Sequence, residues 1–231
     1  MEILKNNIIL LSLTFAIFFF AKKIQHKTGL TILNPILITI TALIIFLKLT
    51  GISYETYHKS GELIEFWLKP AIVALGAPLY LLLKSIKKQM TAVILSQLAG
   101  CIIGVASVVT IAHVLGATKE VVVSMASKSV TTPIAIEITK VVGGIPSLTA
   151  AVVVCVGLFG AIAGFKLLQI LQIKTTPAQG LSIGAASHVV GTSSAMERSQ
   201  EHGAYASLGL IINGLLTSIL APSILRLLGF I

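Results

Sequence analysis

The residues Ala204–Leu225 contain no charged side chain, and comparable apolar runs recur at Leu30–Leu47, Phe66–Leu83, Thr91–Gly116 and Ile145–Phe165. About 20 such residues in helical form span the hydrocarbon core of a bilayer. Only 11% of the 231 residues are charged and 55% are apolar, whereas a water-facing domain carries about 25% charged residues. A soluble fold is excluded, and an all-α integral membrane protein is expected. A shorter first run, Ile8–Ala21, is followed by Lys22 and Lys23 and lacks a small-x-small cleavage site. It is read as a retained helix with its N-terminus outside, not as a signal peptide.

Two segments fit neither a full span nor a solvated loop. In Val121–Val142 the apolar pattern is interrupted by Ser127-Lys128-Ser129-Val130-Thr131-Thr132-Pro133, and in Ala178–Glu201 by Ser187-His188-Val189-Val190-Gly191-Thr192-Ser193-Ser194. Proline lacks the amide proton and pushes its predecessor out of helical geometry. Each segment therefore reads as two half-helices around an unwound tip. They also resemble each other, since Ser127, Val130, Thr132, Ala135, Glu137 and Gly143 recur in register as Ser187, Val190, Thr192, Ala195, Glu197 and Gly203. A weak internal repeat follows.

The formal net charge of +9 sits mostly in short connectors. If both broken segments are re-entrant hairpins, Lys22, Lys23, Lys27, Lys84, Lys87, Lys88, Lys166 and Lys174 all fall on one side of the bilayer. If the first crosses instead, Lys166 and Lys174 move to the opposite side, against the positive-inside rule. The expected architecture is therefore about six transmembrane helices plus two broken or re-entrant hairpins in an inverted, transporter-like repeat. Residues 1–116 are expected to form a scaffold and oligomerisation region, and residues 117–231 to carry the substrate site.

Unwound backbone at membrane depth is tolerated where protein buries it or water lines it, so the tips are the expected site. Half-helix N-termini would present amide donors there to a small anion. Ser129, Thr131, Thr132, Ser187, Gly191, Thr192, Ser193 and Ser194 add hydroxyls or open backbone, and Asn34 is a further lining candidate. Lys128 stands out because a lysine at this depth costs about 2.5–3.5 kcal/mol unless a cavity or partner holds it. Its readings are a substrate ligand, a snorkelling side chain or a structural partner of Glu137. His188 occupies the aligned position, as ligand, proton relay or hydrogen-bonded structural histidine. Lys128, His188 and Glu137 are the groups assigned to proton coupling. Asn213 reads as interhelical glue, and Gly100-x-x-x-Gly104 and Gly160-x-x-x-Gly164 as close-packing faces.

Aspartate is absent and the two cysteines, Cys101 and Cys155, lie in apolar runs. No metal or cofactor is expected. Hydrolase, metalloprotease, Walker and dinucleotide fingerprints are lacking, so an enzyme is not expected. No basic-aromatic segment suits nucleic acid.

The strings Lys128-Ser129-Val130-Thr131-Thr132-Pro133-Ile134-Ala135, Gly143-Gly144-Ile145-Pro146 and Ala186-Ser187-His188-Val189-Val190-Gly191-Thr192 closely resemble the LrgB/CidB family of bacterial membrane proteins. So do Leu33-Asn34-Pro35, Thr50-Gly51-Ile52-Ser53-Tyr54 and Pro78-Leu79-Tyr80. The resemblance implies two functions. One is transport of small monocarboxylates of the glycolate, glycerate, lactate or pyruvate class, since a plastidal relative looks like a glycolate/glycerate translocator and some bacterial members are linked to pyruvate uptake. The alternative is an antiholin-like regulator of murein hydrolase activity and lysis, acting with an LrgA/CidA-type membrane partner. The family commonly has proline where this chain has Ser127. Expected partners are thus a small anionic substrate, the lipid bilayer, a second copy in a homodimer and an LrgA/CidA-like protein, in the inner (plasma) membrane.

Overall fold

The computed structural model of the protein describes residues 6–30, 33–74, 76–81 and 83–231, and every regular element among them is helical. The chain divides into two compact units, residues 1–74 and 75–231.

The first unit holds α1 (Asn7–Thr28), α2 (Pro35–Thr50) and α3 (Tyr54–Ala74). The run expected over Ile8–Ala21 continues through Lys22, Lys23 and Lys27 until Gly29, at φ 66°, closes α1. Lysine is a good helix former, so charge alone does not end a helix, whereas a left-handed glycine does. Asn34 does not lie within a span: its side chain caps α2, accepting from Ile36 N at 2.9 Å, and Pro35 takes the first helical position. Thr31 and Ile32 of the span expected over Leu30–Leu47, and Leu75 and Leu82 of that over Phe66–Leu83, lie outside the described residues. The Thr14 hydroxyl meets the Tyr57 hydroxyl at 3.0 Å, tying α1 to α3.

The second unit holds α4 (Gly76–Leu81), α5 (Leu83–Lys88), α6 (Met90–Val114), α7 (Lys119–Met125), α8 (Thr132–Val142), α9 (Pro146–Ile170), α10 (Thr176–Arg198) and α11 (Gln200–Leu227). Among the described residues, α1, α6, α9 and α11 are long and apolar enough to cross a membrane, and α2, at 16 residues, is shorter.

Both expected breaks are present. Between α7 and α8 the chain winds through loose turns from Ala126 to Thr131, and Pro133 opens α8. In α10 the break is tighter than the sequence implies, confined to Ser187 (φ −129°, ψ 15°) and His188 (φ 43°, ψ −139°), so Val189–Ser194 are helical. Each broken segment folds back on itself. The Ser127 hydroxyl reaches the Ala135 carbonyl at 3.2 Å and the Thr139 hydroxyl at 3.4 Å. A Cβ at Gly191 would lie 3.1 Å from Ile183 Cγ2, although eight residues of straight helix would hold the two positions about 12 Å apart.

The long helix α9 orders the two hairpins. The first opens at its N-terminal end, beyond Gly143 and Gly144, and the second at its C-terminal end, beyond Leu171. Thr149 donates to the Ser124 carbonyl at 2.9 Å, and His188 Nε2 bonds the Val153 carbonyl at 2.8 Å. The tips therefore approach each other from opposite ends and meet near the middle of α9. Helices α6 and α11 run in the same direction: Val93 and Leu208 belong to one buried cluster, Cys101 Sγ lies 3.4 Å from Thr217 Oγ1, and the His113 and Phe230 rings meet 5.2 Å apart.

Candidate functional site

A cavity of about 710 Å³ lies between α6, the first half of α10, α11 and the α7–α8 break. That volume is typical of small-molecule sites. Its α6 wall follows a helical stripe through Val93, Gln97, Cys101 and Val105, as residues one turn apart share a face. At one end are Gln89 and Thr175, next in sequence to Lys88 and Lys174. Deeper, it reaches Lys128, Ser129, Asn213 and Thr217.

Lys128 is the cationic group of the wall. Its ammonium donates to Ser129 Oγ at 2.8 Å and forms no ion pair among the described residues. It also borders a second, largely apolar cavity of about 680 Å³ against α9, which shares Ser182 and Ala186 with the first. The break thus forms a thin partition with the lysine in it. Asn213 supports the partition, its Nδ2 donating to the Ala185 carbonyl at 2.9 Å and the Ser129 carbonyl at 3.5 Å. Its expected role as interhelical glue describes these bonds, but it also reaches the cavity.

The other expected site residues are distributed differently. Ser187 lines the second cavity. His188 is buried with its ring bonded to Val153 and seated over Gly157, where a Cβ would come within 2.5 Å of the ring. The ring latches the second tip to α9. Gly191 packs against Ile183, and Thr192 is fully buried with its hydroxyl on the His188 carbonyl at 2.8 Å. Ser193 and Ser194 likewise bond helix carbonyls, of Val189 and Ala161. Thr131 and Thr132 begin α8 outside the wall of the first cavity. Glu137 is exposed and pairs with Lys140 at 2.7 Å, so Lys128 has no partner there. Asn34 belongs to the first unit, with its oxygen committed to the cap of α2.

The half-helix N-termini expected to face the ligand do not line the first cavity. Its tip wall is built by residues at the ends of the first half-helices, Ala126, Ala185 and Ala186. The positive charge there comes from the lysine side chain. Gly160 packs as expected, directly under Ser187, whereas Gly100 and Gly104 touch nothing within 4 Å of a Cβ position and border open space. Gln97 was not singled out in the sequence; the available signal was a lone amide within the run Thr91–Gly116.

A chain whose described elements are all helical, with four helices long and apolar enough to cross a membrane and two broken segments around a cavity, is a membrane protein of the polytopic kind. The chain belongs to the LrgB-like family, which matches residues 14–227. It is 36% identical to the holin-like protein CidB of Staphylococcus epidermidis over 95% of this chain and 96% of that one. It is 33% identical to holin-like protein CidB of Staphylococcus aureus, again over 95% and 96%, and 32% identical to the YwbG protein of Bacillus subtilis over 95% and 97%. No solved structure matches the chain.

Proposed function

We propose that the protein moves small monocarboxylates across the bilayer by alternating access, with Lys128 as the ligand of the carboxylate. The observation that carries this reading is a lysine on a cavity wall, among helices apolar enough to cross a membrane, without a carboxylate partner among the described residues. A charge at this depth costs about 2.5–3.5 kcal/mol, and an anionic ligand offsets that cost. Broken helices meeting at one place are the usual architecture of a transporter site. In this reading residues 117–231 move as a repeat with inverted topology, working as part of a homodimer. Protons are the coupling ion, since the chain offers lysine and histidine but no aspartate. The proposed orientation puts the Lys174 end in the cytoplasm and the N-terminus outside the plasma membrane. Lys84, Lys87, Lys88, Lys166, Lys174 and Arg198 cluster toward that end, against Lys119, Lys140 and Arg226 toward the other.

Purified protein in liposomes is expected to accumulate labelled lactate or pyruvate. Lys128→Met is expected to reduce uptake about 10- to 100-fold, the weight of a lost charge-assisted hydrogen bond. Equal uptake by variant and parent removes Lys128 from the site.

Relatives named holin-like favour a second reading, to which the family resemblance adds an antiholin-like action on lysis and an LrgA/CidA-type partner. Liposomes that release dye only when both proteins are present, with no substrate-dependent flux by this chain alone, would establish that reading instead.

A further inference from the structure

A third cavity, of about 330 Å³, also borders Lys128 and lies toward the Gly116 end, where Leu115 and Ala117 line it. One face of α6 joins it to the first. The cavity stripe that reaches Gly104 and Val105 continues at the same three- and four-residue spacing through Val108, Ile111, Ala112 and Leu115, and positions so spaced share a face. The 25 residues of α6 rise about 38 Å, more than a hydrocarbon core of about 30 Å. Two cavities thus follow one another along a single helix face, and among the described residues Lys128 is the one that lines both.

The divide between them is apolar and tightly packed. Ala126 lines the first cavity and its neighbour Met125 the third. Val105 and Ala126 share a buried cluster, and Val108 and Met125 pack against it. The two walls also differ in chemistry. Ser96, Ser129, Asn213 and Thr217 line the first cavity, whereas the polar side chains on the third are Lys128 and Ser107, whose hydroxyl is bonded to the Gly104 carbonyl at 3.3 Å. A constriction of valine and methionine stops an anion until it widens, because it offers nothing in place of water. The lysine is the part free to move: its ammonium holds Ser129 Oγ at 2.8 Å with no ion pair among the described residues, and its torsions turn without the backbone.

We propose that the third cavity is the second half of one translocation route along α6, shut in this conformation by Val108 and Met125, and that the Lys128 side chain passes the anion from one half to the other. The inference rests on the monocarboxylate reading above and adds to it the residues that form the gate. In this arrangement the gate lies beyond the lysine as seen from the first cavity. Obstructing it therefore stops flux and leaves binding from the Lys174 end intact.

The test places Ser107→Cys in a full-length chain with Cys101 and Cys155 replaced by alanine. Ile102→Cys in the same chain is the control, since Ile102 is exposed on α6 but lines neither cavity. Each purified protein is labelled with a bulky, membrane-permeant maleimide, so that the obstruction is added after folding, and is compared with its own unlabelled form. Labelled Ser107→Cys is expected to take up radiolabelled lactate or pyruvate into liposomes about tenfold or more slowly than its unlabelled form, with binding of the same acid in detergent unchanged. Labelled Ile102→Cys is expected to keep both uptake and binding. Met125→Trp, which fills the constriction from within, is expected to bind the acid and not to carry it. Undiminished uptake by labelled Ser107→Cys overturns the inference and leaves the transport reading standing. Equal loss of uptake in the labelled control, or loss of binding together with uptake, overturns it too, because the obstruction then acts elsewhere than at a separate gate. A parent that accumulates neither acid overturns the transport reading and this inference with it.

Discussion

His188 combines a strained backbone with a specific bond. Its φ of 43° and ψ of −139° lie in a region that side chains with a Cβ avoid, at a cost on the order of 1–3 kcal/mol. The bond from its ring to the Val153 carbonyl returns about 0.5–1.5 kcal/mol. These terms separate by substitution. Removing the ring but keeping the Cβ, in His188→Ala, loses the bond and retains the strain, whereas His188→Gly loses the bond and relieves the strain. Thermal unfolding in detergent is expected to rank His188→Gly above His188→Ala, because both lose the bond and only the glycine sheds the strain. A glycine variant less stable than the alanine variant would show that the tip conformation is unstrained. The sequence left His188 open between ligand, relay and structural bond; its seat over Gly157 is a contact between residues 31 positions apart, which no local pattern encodes.

At the scale of elements, the α9 glycines set how closely the second hairpin approaches. A Cβ at Gly160 would run into the Ser187 side chain, while one at Gly100 of α6 meets nothing within 4 Å. Two motifs with the same spacing therefore differ in kind: one is a packing seam and the other a stretch of cavity wall. Gly160→Ala is expected to destabilise by about 1–3 kcal/mol, as overpacking does. Gly100→Ala is expected to leave stability unchanged or raise it by up to about 1 kcal/mol, since it puts a better helix former into open space. Unfolding midpoints of the two variants side by side check this, and equal shifts would contradict the difference in packing. The location of the α10 break has the same origin. The first break is written locally by Thr131-Thr132-Pro133, but the second has no proline, and every residue from Ser187 to Ser194 is a plausible hinge. The α9 groove that receives Ser187 and His188 selects one.

At the scale of the molecule, the cavity runs from Gln89 and Thr175 at the Lys174 end to Lys128. Entry is therefore expected from that end in this conformation. Cysteines substituted for Ser96 and Thr175, in a chain with Cys101 and Cys155 replaced by alanine, are expected to react with an impermeant thiol reagent from the Lys174 face. A cysteine replacing Gly116 is expected to react from the opposite face. Labelling of Ser96→Cys from the Gly116 side alone would contradict the direction of the opening. The grouping by sequence set α6 with the N-terminal helices in residues 1–116; in the structure α6 packs on α11 and lines the cavity.

The membrane-embedded, all-helical class and the existence of two breaks follow from the sequence alone. Hydropathy, proline and polar interruption act within a few residues, through water, lipid and the backbone. Lys128 was legible for the same reason, since a charge in an apolar segment is costly wherever the segment packs. The identity of the wall was not. Gln97 looks like any residue of a spanning helix until α6 runs parallel to α11 and brings it level with Asn213. Thr192, Ser193 and Ser194 look like ligand hydroxyls until the hairpin closes and their oxygens bond helix carbonyls. Only the tertiary structure decided these, because which face of a helix meets a cavity depends on the neighbours that pack against the others.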